Sequence, residues 1–139
     1  MERRHTVKLR LRTDYAIRVV RTIYEEPCAV VTSKVISEKQ KIPHGVLMKV
    51  MRELKLHGIV ESHQGRGEVV GGYSLKKMIT EITLLEMIEI MEGPIMLQQA
   101  IRENNNYITT GVNKEYERIN EIIKSELKRY TLKDIFERL

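Results

Sequence analysis

Residues 33–73 read SKVISEKQKIPHGVLMKVMRELKLHGIVESHQGRGEVVGGY, and this stretch decides the fold. Its centre, residues 43–58, has apolar side chains at the one-, three- and four-residue steps of a helix with one buried stripe. The members of that stripe are Val46, Leu47, Val50, Met51 and Leu54. A second group falls mostly on the other side: His44, Gly45, Met48, Lys49, Arg52 and Lys55. That side carries cations, and Glu53 lies only at its edge, so the helix can rest on a core and offer its free side to an anionic groove.

The residues just before this helix predict a shorter helix and a turn. Thr32 or Ser33 can cap a helix over residues 34–40, whose Val35 and Ile36 would face inward. Residues 41–43 then turn the chain, and the proline that ends this turn suits the first position of the next helix. Two helices joined by a short turn, with a basic outer side on the second, are typical of a helix-turn-helix.

A further helix is predicted upstream, over residues 14–25. Thr13 or Asp14 can cap it, Pro27 ends it, and Ile17, Val20 and either Ile23 or Tyr24 make one stripe. Residues 1–12 are basic, with Arg3, Arg4, Lys8, Arg10 and Arg12. They could form an arm along a phosphate backbone, or a short strand in which apolar residues alternate with cations.

A glycine-rich hairpin follows the third helix. Gly58 ends that helix, and residues 59–63 and 73–76 can form two strands. Residues 64–72 connect them and contain four glycines, which permit a tight tip. A helix-turn-helix followed by such a hairpin is a winged helix. Gln64 and Arg66 at the tip could contact DNA, with Arg66 in a minor groove or on phosphates, although a cation in a turn can also serve only solubility.

The remaining chain predicts three more helices. Thr83 and Glu86 are spaced as a capping box for a helix over residues 84–92, and Thr131 can cap a short final helix. The longest pattern, over 112–130, has a stripe that can pair with a second copy of the chain: Val112, Tyr116, Ile119, Ile122, Ile123, Leu127 and Tyr130. The alternative is that this helix packs back on its own domain.

Length and charge limit the class of protein. The 139 residues predict a DNA-binding domain over 1–80 and connecting and dimerisation helices over 81–139. Residues 1–77 hold 16 Lys/Arg against 8 Asp/Glu, whereas residues 78–139 hold 8 against 11, so a polyanion partner is expected for the first part. Without a secretory signal or an apolar run near the roughly 20 residues of a membrane span, we expect a cytoplasmic protein.

Nothing in the sequence indicates an enzyme or a metal site. No Ser/His/Asp set, phosphate-binding loop or pair of metal ligands at helical spacing is present, and the four histidines are scattered. Cys28 is the only cysteine. It could be a small filler at a helix end or a redox switch through pairing between molecules.

With these elements in order, the chain resembles the Rrf-two family of bacterial winged-helix repressors, which includes the iron–sulfur cluster regulator, the nitric-oxide-sensing repressor and the cysteine metabolism repressor. The resemblance covers nearly the whole chain. Its marks lie at residues 13–18 (TDYAIR), 55–60 (KLHGIV), 71–75 (GGYSL), 81–84 (EITL), 91–94 (MEGP) and 131–135 (TLKDI). It implies a homodimer crossed through the long helix, which binds double-stranded DNA at a partly palindromic operator. It places DNA-reading residues around His44, Gly45, Met48 and Lys49, with a wing contribution from residues 64–67.

The chain departs from the family pattern in two ways. The wing is longer than the family's usual glycine turn, by Glu68, Val69 and Val70. Members that bind a cluster carry three cysteines before the long helix, whereas residues 98–111 have none. Asp14 stands where some members supply a carboxylate ligand, but a cluster needs thiolates or imidazoles, and a helix cap is the simpler role. We therefore expect no three-cysteine cluster and no cofactor.

Two functions of different classes follow. The first is a sequence-specific DNA-binding regulator, a repressor, in which phosphate contacts position the protein and the third helix selects bases. The second is a protein-interaction adaptor controlled by an enzyme partner, with DNA binding secondary or lost. A small effector could also occupy an apolar pocket between residues 84–101 and the long helix.

Overall fold

A computed structural model describes residues 8–97 and 106–139 and confirms a mainly helical winged helix-turn-helix. The helices and strands, in chain order, are α1 (Leu11–Glu25), α2 (Ser33–Gln40), α3 (His44–Leu56), β1 (Val60–His63), β2 (Gly72–Leu75), α4 (Leu84–Glu92), α5 (Tyr107–Lys128) and α6 (Leu132–Glu137). No helix among the described residues is long and apolar enough to cross a membrane.

The core gathers around α1 and α3. Leu47, Val50, Met51 and Leu54 are buried, as the stripe predicted, and Val46 is half-buried. Other members of the same core come from every remaining helix except α5: Ala16, Val19, Val20, Ile36, Met87, Met91, Leu132 and Phe136. Burial of such side chains contributes about 1.5–3 kcal/mol each, so the inner side of α3 is held firmly and its outer side is left to solvent.

The turn between α2 and α3 has the expected local signals. The Oγ1 atom of Thr32 accepts a hydrogen bond from the Val35 amide at 3.2 Å and so caps α2. Lys41 ends α2 in the left-handed conformation, at φ 52°. Pro43 is the N-cap residue of α3, one position before the first helical position that the sequence predicted for it. The two helices are therefore joined within three residues.

The wing, residues 60–75, is a two-stranded antiparallel sheet in which Val60 pairs with Leu75 and His63 with Gly72. A third segment adds one bridge. The amides and carbonyls of Val31 and Tyr73 exchange two hydrogen bonds of 2.8 Å. A Cβ on Gly72 would lie 2.5 Å from the Val31 oxygen, so this close approach requires glycine. The link between α1 and α2 therefore holds the base of the wing.

The start of α1 differs from the prediction. The helix begins at Leu11, so Thr13 and Asp14 lie inside its first turn and neither caps it. Thr13 is buried, and Asp14 forms an ion pair with Arg18 at 3.0 Å. The predicted strand alternative for residues 1–12 is wrong for the part that the structure describes, because residues 8–10 are irregular and the helix follows directly. Residues 1–7 lie outside the described residues.

The C-terminal helices follow their predicted caps with two differences. Thr83 accepts a hydrogen bond from the Glu86 amide at 3.1 Å, but the Glu86 carboxylate binds Lys77 at 2.8 Å instead of completing a capping box. The complete box is that of Thr131 and Asp134 on α6. α5 begins at Tyr107, before the predicted residue 112, because Asn106 caps it. Of residues 84–101, which the sequence placed beside an effector pocket, those after residue 97 lie outside the described residues.

Candidate nucleic-acid interface

The outer face of α3 is the largest coherent feature of the helix-turn-helix. At about 100° per residue, seven exposed residues fall within an arc of roughly 140°. They are His44, Gly45, Met48, Lys49, Arg52, Lys55 and Leu56. None of the seven is acidic, and Glu53 lies beyond the edge of the arc and is half-buried. The predicted DNA-reading residues of this helix are therefore brought together on one accessible surface.

The cations of this face are not neutralised by the part of the chain that the structure describes. Among the described residues, no carboxylate pairs with Lys49, Arg52 or Lys55. On α1, by contrast, Arg18 pairs with Asp14 and Arg21 with Glu25, at 3.0 and 2.6 Å. Unpaired surface cations keep solution counterions, and binding a phosphate backbone releases the counterions condensed on the nucleic acid. The outer face of α3 is thus suited to a polyanion.

Gly45 and Met48 add an open position and an exposed apolar side chain to the same face. A Cβ added to Gly45 would meet nothing within 4 Å, so the protein itself does not require glycine there. Met48 is 37% exposed, with its thioether free to contact an apolar group. In a major groove the apolar group of this kind is the thymine methyl.

The wing ends in a tight turn. Arg66 and Val69 exchange two backbone hydrogen bonds of 3.0 Å around Gly67 and Glu68, and the φ of 59° at Gly67 fits a type II′ turn. Below the turn the two sides of the loop touch through backbone alone, since a Cβ on Gly65 would lie 2.8 Å from the Val69 oxygen. Arg66 stands at this turn, exposed and without an ion-pair partner among the described residues.

The structure adds wing and turn residues that the sequence reasoning did not assign. Val69 and Val70 are each 68% exposed at the tip, which is unusual for apolar side chains with a core nearby. Lys34 on α2 and Lys41 in the turn are exposed, and no ion pair joins either of them to a described carboxylate. The sequence contained signals for both groups: Val69 and Val70 lie in a glycine-rich loop, and the two lysines lie close to the turn. Gln64 is exposed near the strand end, and its contact with DNA stays a prediction.

Arg10, in contrast, is bound within the protein. Its Nε atom lies 3.0 Å from the Glu92 carboxylate, its amide 2.5 Å from the same group, and the Thr13 hydroxyl donates to it at 2.6 Å. The hydrogen bond from Thr13, followed by those from Arg10, holds the pKa of Glu92 below its ordinary value of 4.5. Arg10 is therefore not free to contact a phosphate backbone as part of an N-terminal arm.

The predicted dimerisation stripe lies on a helix that its own chain hardly covers. Among the 22 described residues of α5, only Asn120 is buried. Ile122 is 52% exposed, and the other predicted members are half-buried: Tyr116, Ile119, Ile123, Leu127 and Tyr130. Tyr107 and Ile108, which precede the predicted stripe, are 84% and 60% exposed. The pairing of two copies through this helix stays a prediction.

The redox hypothesis concerns a residue outside this interface. Cys28 is a free, exposed cysteine in the link between α1 and α2. Residues 29–31 follow it and lead to the bridge between Val31 and Tyr73 at the base of the wing. Cys28 is therefore accessible to a second molecule, and its redox role stays a prediction.

Solved structures share this fold. Bacillus subtilis CymR, the global cysteine regulator, superposes with a TM-score of 0.72 at 21% identity, over 96% of this chain and 99% of that one. IscR of T. potens superposes with a TM-score of 0.66 at 24% identity, over 95% and 88% of the two chains. Among curated sequences, the proposed HTH-type transcriptional regulator Rv1287 of Mycobacterium tuberculosis is 25% identical over 133 residues, which cover 93% of this chain and 81% of that protein.

The family model Rrf2, described as an iron-dependent transcriptional regulator, matches residues 9–138. The residues here do not fit an iron cluster held by three cysteines, because Cys28 is the one cysteine of the chain. Within the described residues, no group of three or more His, Cys, Asp or Glu could hold a metal ion. The match over almost the whole chain, the winged-helix fold and the acid-free face of α3 lead to one conclusion: this chain belongs to the Rrf2 family of transcriptional regulators.

Proposed function

We propose that the chain is a sequence-specific repressor that binds a partly palindromic operator as a homodimer and uses no three-cysteine cluster. The observation that carries this proposal is the outer face of α3, which is exposed, free of acids and lined by cations that pair with no carboxylate among the described residues. A helix in a major groove needs such a face, because phosphates flank the groove on both sides and base edges lie at its floor.

We assign different roles to the residues of this face. Lys49 lies near the middle of α3 and reads a guanine edge, while Met48 contacts a thymine methyl. Arg52 follows Lys49 by three residues on the same side of the helix and binds the phosphate backbone. His44 and Gly45 form the first turn, where DNA approaches the backbone most closely, and the helix N-terminus favours an anionic phosphate there.

The wing supplies a second contact. Arg66 reaches a minor groove or its phosphates from the turn at residues 66–69, and Gln64 contacts the backbone beside it. The exposed pair Val69 and Val70 lies on the other arm of this turn and packs against sugar surfaces. Backbone contacts from α3 and from the wing, on either side of a groove, set the register of α3 along the duplex.

The α5 stripe supports the dimer. Its side chains are only half-buried in one chain, and a helix of 22 residues offers a long face to a second copy. A two-fold dimer places two copies of α3 on one side of the duplex, one helical turn or about 34–36 Å apart. The operator is then expected to contain two inverted half-sites.

Selection of bound DNA from a random pool at two salt concentrations tests this proposal, together with native mass spectrometry of the same protein. The expected result is one enriched, partly palindromic sequence bound by a metal-free dimer, with an affinity that falls steeply with salt. A reporter gene behind that sequence should be silenced by the wild-type chain and released by Lys49→Ala. Binding of all sequences alike would reduce α3 to a general anion surface and favour the adaptor function. Iron mass on the dimer, or activation of the reporter, would contradict the proposal directly.

A further inference from the structure

A groove lies between the C-terminal end of α3, one side of α4 and the end of α5. Its volume is about 430 Å³, and its lining includes His57, Leu85, Glu89, Ile90, Pro94 and Lys128. Small-molecule sites in proteins occupy roughly 300–1,000 Å³, so the groove has the size of a metabolite site. It lies where the sequence predicted an effector pocket, but charged residues line it together with apolar ones.

Two opposite charges line this groove without neutralising each other. Among the described residues, Glu89 has no ion-pair partner, and neither has Lys128. The neighbouring carboxylate of Glu86 is already satisfied by Lys77, at 2.8 Å from both of its oxygens. The groove therefore presents one free carboxylate and one free ammonium group to an occupant.

Part of the remaining wall is apolar, whereas Thr83 and His57 add polar side chains to it. Leu85 and Ile90 lie on α4 and are half-buried, and Pro94 follows that helix and is exposed. None of the three offers a side-chain hydrogen bond. They can cover an aliphatic group of moderate size, which would lose contact with water on binding.

We propose that this groove binds a free aliphatic α-amino acid. The ammonium group of the ligand pairs with Glu89, its carboxylate with Lys128, and its side chain packs against Leu85, Ile90 and Pro94. A zwitterion matches both charges of the groove at once. A simple anion would satisfy Lys128 and leave Glu89 facing a like charge, and a simple cation would do the reverse, which makes each a poorer ligand.

The position of the groove connects it to α3. His57 is the C-cap residue of that helix, and its Nδ1 atom lies 2.9 Å from the backbone carbonyl oxygen of Glu53 in the last turn. Because His57 also lines the groove, a bound amino acid lies beside the end of the helix that we propose reads DNA, and it alters operator affinity if it prefers one position of α3. This regulatory part rests on the proposed function, whereas binding itself does not. Allosteric coupling is commonly about fivefold or more, and we expect a change of that size.

Isothermal titration of the full chain with L-leucine tests the site. Two matched probes remove one charge each: 3-methylbutylamine lacks the carboxylate and 4-methylpentanoate lacks the ammonium group. We expect leucine to bind and each analogue to bind at least about tenfold more weakly, because each lacks one charge-assisted contact. Alanine, valine, isoleucine and methionine, measured alongside, cover the aliphatic class.

Variants then test the two charges. Glu89→Gln and Lys128→Gln should each weaken leucine binding by about tenfold or more. Glu117→Gln and Lys114→Gln change the same charges at exposed positions of α5 that do not line the groove, and they should leave leucine affinity unchanged. Thermal midpoints of all four variants establish that each one folds.

Three outcomes overturn the proposal: none of the five amino acids binds at millimolar concentration, both analogues bind as well as leucine, or the groove variants bind leucine like the wild-type chain. DNA binding is measured separately, without amino acid. A dimer that binds its operator but binds none of the amino acids would refute the proposed site and leave the repressor proposal intact. A chain that binds leucine through Glu89 and Lys128 but selects no operator would do the opposite.

Discussion

Replacing Glu92 by Gln should weaken the junction between α1 and α4. The carboxylate of Glu92 accepts hydrogen bonds from the Thr13 hydroxyl at 2.6 Å, the Arg10 amide at 2.5 Å and the Arg10 Nε at 3.0 Å. The side chain of Glu92 is only 17% exposed, and Thr13 is 2% exposed. The N-cap residue Arg10 makes no side-chain cap of α1. Glu92, about eighty residues away on α4, instead binds the Arg10 amide and the Thr13 hydroxyl at this end of the helix.

The size of the effect follows from these contacts. Glutamine keeps one acceptor oxygen and brings an amide group that cannot accept, so the charged part of the cluster is lost. Hydrogen bonds to charged groups contribute about 1.5–3 kcal/mol. Arg10 is 58% exposed, and solvent screens its ion pair, so we place the loss in the free energy of unfolding near 2 kcal/mol. For a chain of this length that corresponds to a fall in Tm of roughly 8 °C.

Urea denaturation at fixed protein concentration measures this loss at a series of pH values. The pKa of Glu92 is lower in the folded chain than its ordinary value of 4.5, chiefly because of the hydrogen bond from Thr13. The stabilisation by its charge is therefore complete above pH 4.5 and is lost as the pH falls through the folded-state pKa. The difference between wild type and Glu92→Gln should be constant near neutral pH and should shrink in acid.

Glu115→Gln is the matched control. Glu115 pairs with Arg118 at 3.1 Å, but both side chains are about two-thirds exposed, so its replacement should cost less than about 0.5 kcal/mol. A loss at Glu92 no larger than the loss at Glu115 would refute the reasoning. If Glu92→Gln lowers the free energy of unfolding by the same large amount at every pH down to the pH of acid unfolding, packing and not charge holds the junction.

Three further predictions concern other parts of the chain. Gly45→Ala should leave stability unchanged or slightly raised, because a Cβ meets nothing within 4 Å and Ala favours helix, yet it should weaken operator binding in a mobility-shift assay if DNA approaches that turn closely. Lys49→Ala should relax preference at one operator position in a binding selection, with Lys114→Ala as the control; uniform weakening across sequences would make Lys49 a phosphate contact. Asn120→Ala should destabilise the chain by about 1–3 kcal/mol and speed amide exchange at Leu97, because Asn120 donates to the Leu97 oxygen at 3.1 Å and accepts from its amide at 2.8 Å; unchanged exchange would argue against this contact in solution.

Local sequence signals determined the helix-turn-helix and the wing. The apolar stripe of α3 predicted its buried side, and Leu47, Val50, Met51 and Leu54 are all buried. Thr32, Thr83 and Thr131 cap the helices that follow them, as their positions indicated. These features could be predicted because the interacting groups lie within a few residues of one another, where periodicity and cap preference act directly. The basic, acid-free outer face of α3 was visible for the same reason.

Contacts between distant residues required the tertiary structure. The start of α1 was mispredicted because Glu92 of α4 accepts hydrogen bonds from the amide of the N-cap residue Arg10 and from the Thr13 hydroxyl, so that Thr13, a good cap by composition, turns inward instead. The bridge from Val31 to Tyr73 and the clamp of Asn120 on Leu97 carry no local pattern. The groove of Glu89 and Lys128 likewise exists only after α4 and α5 pack together. Propensity and periodicity describe neighbours along the chain, so the sequence by itself determined the exposed basic face of α3 that we propose reads DNA. Packing alone decided how that face is joined to the rest of the protein.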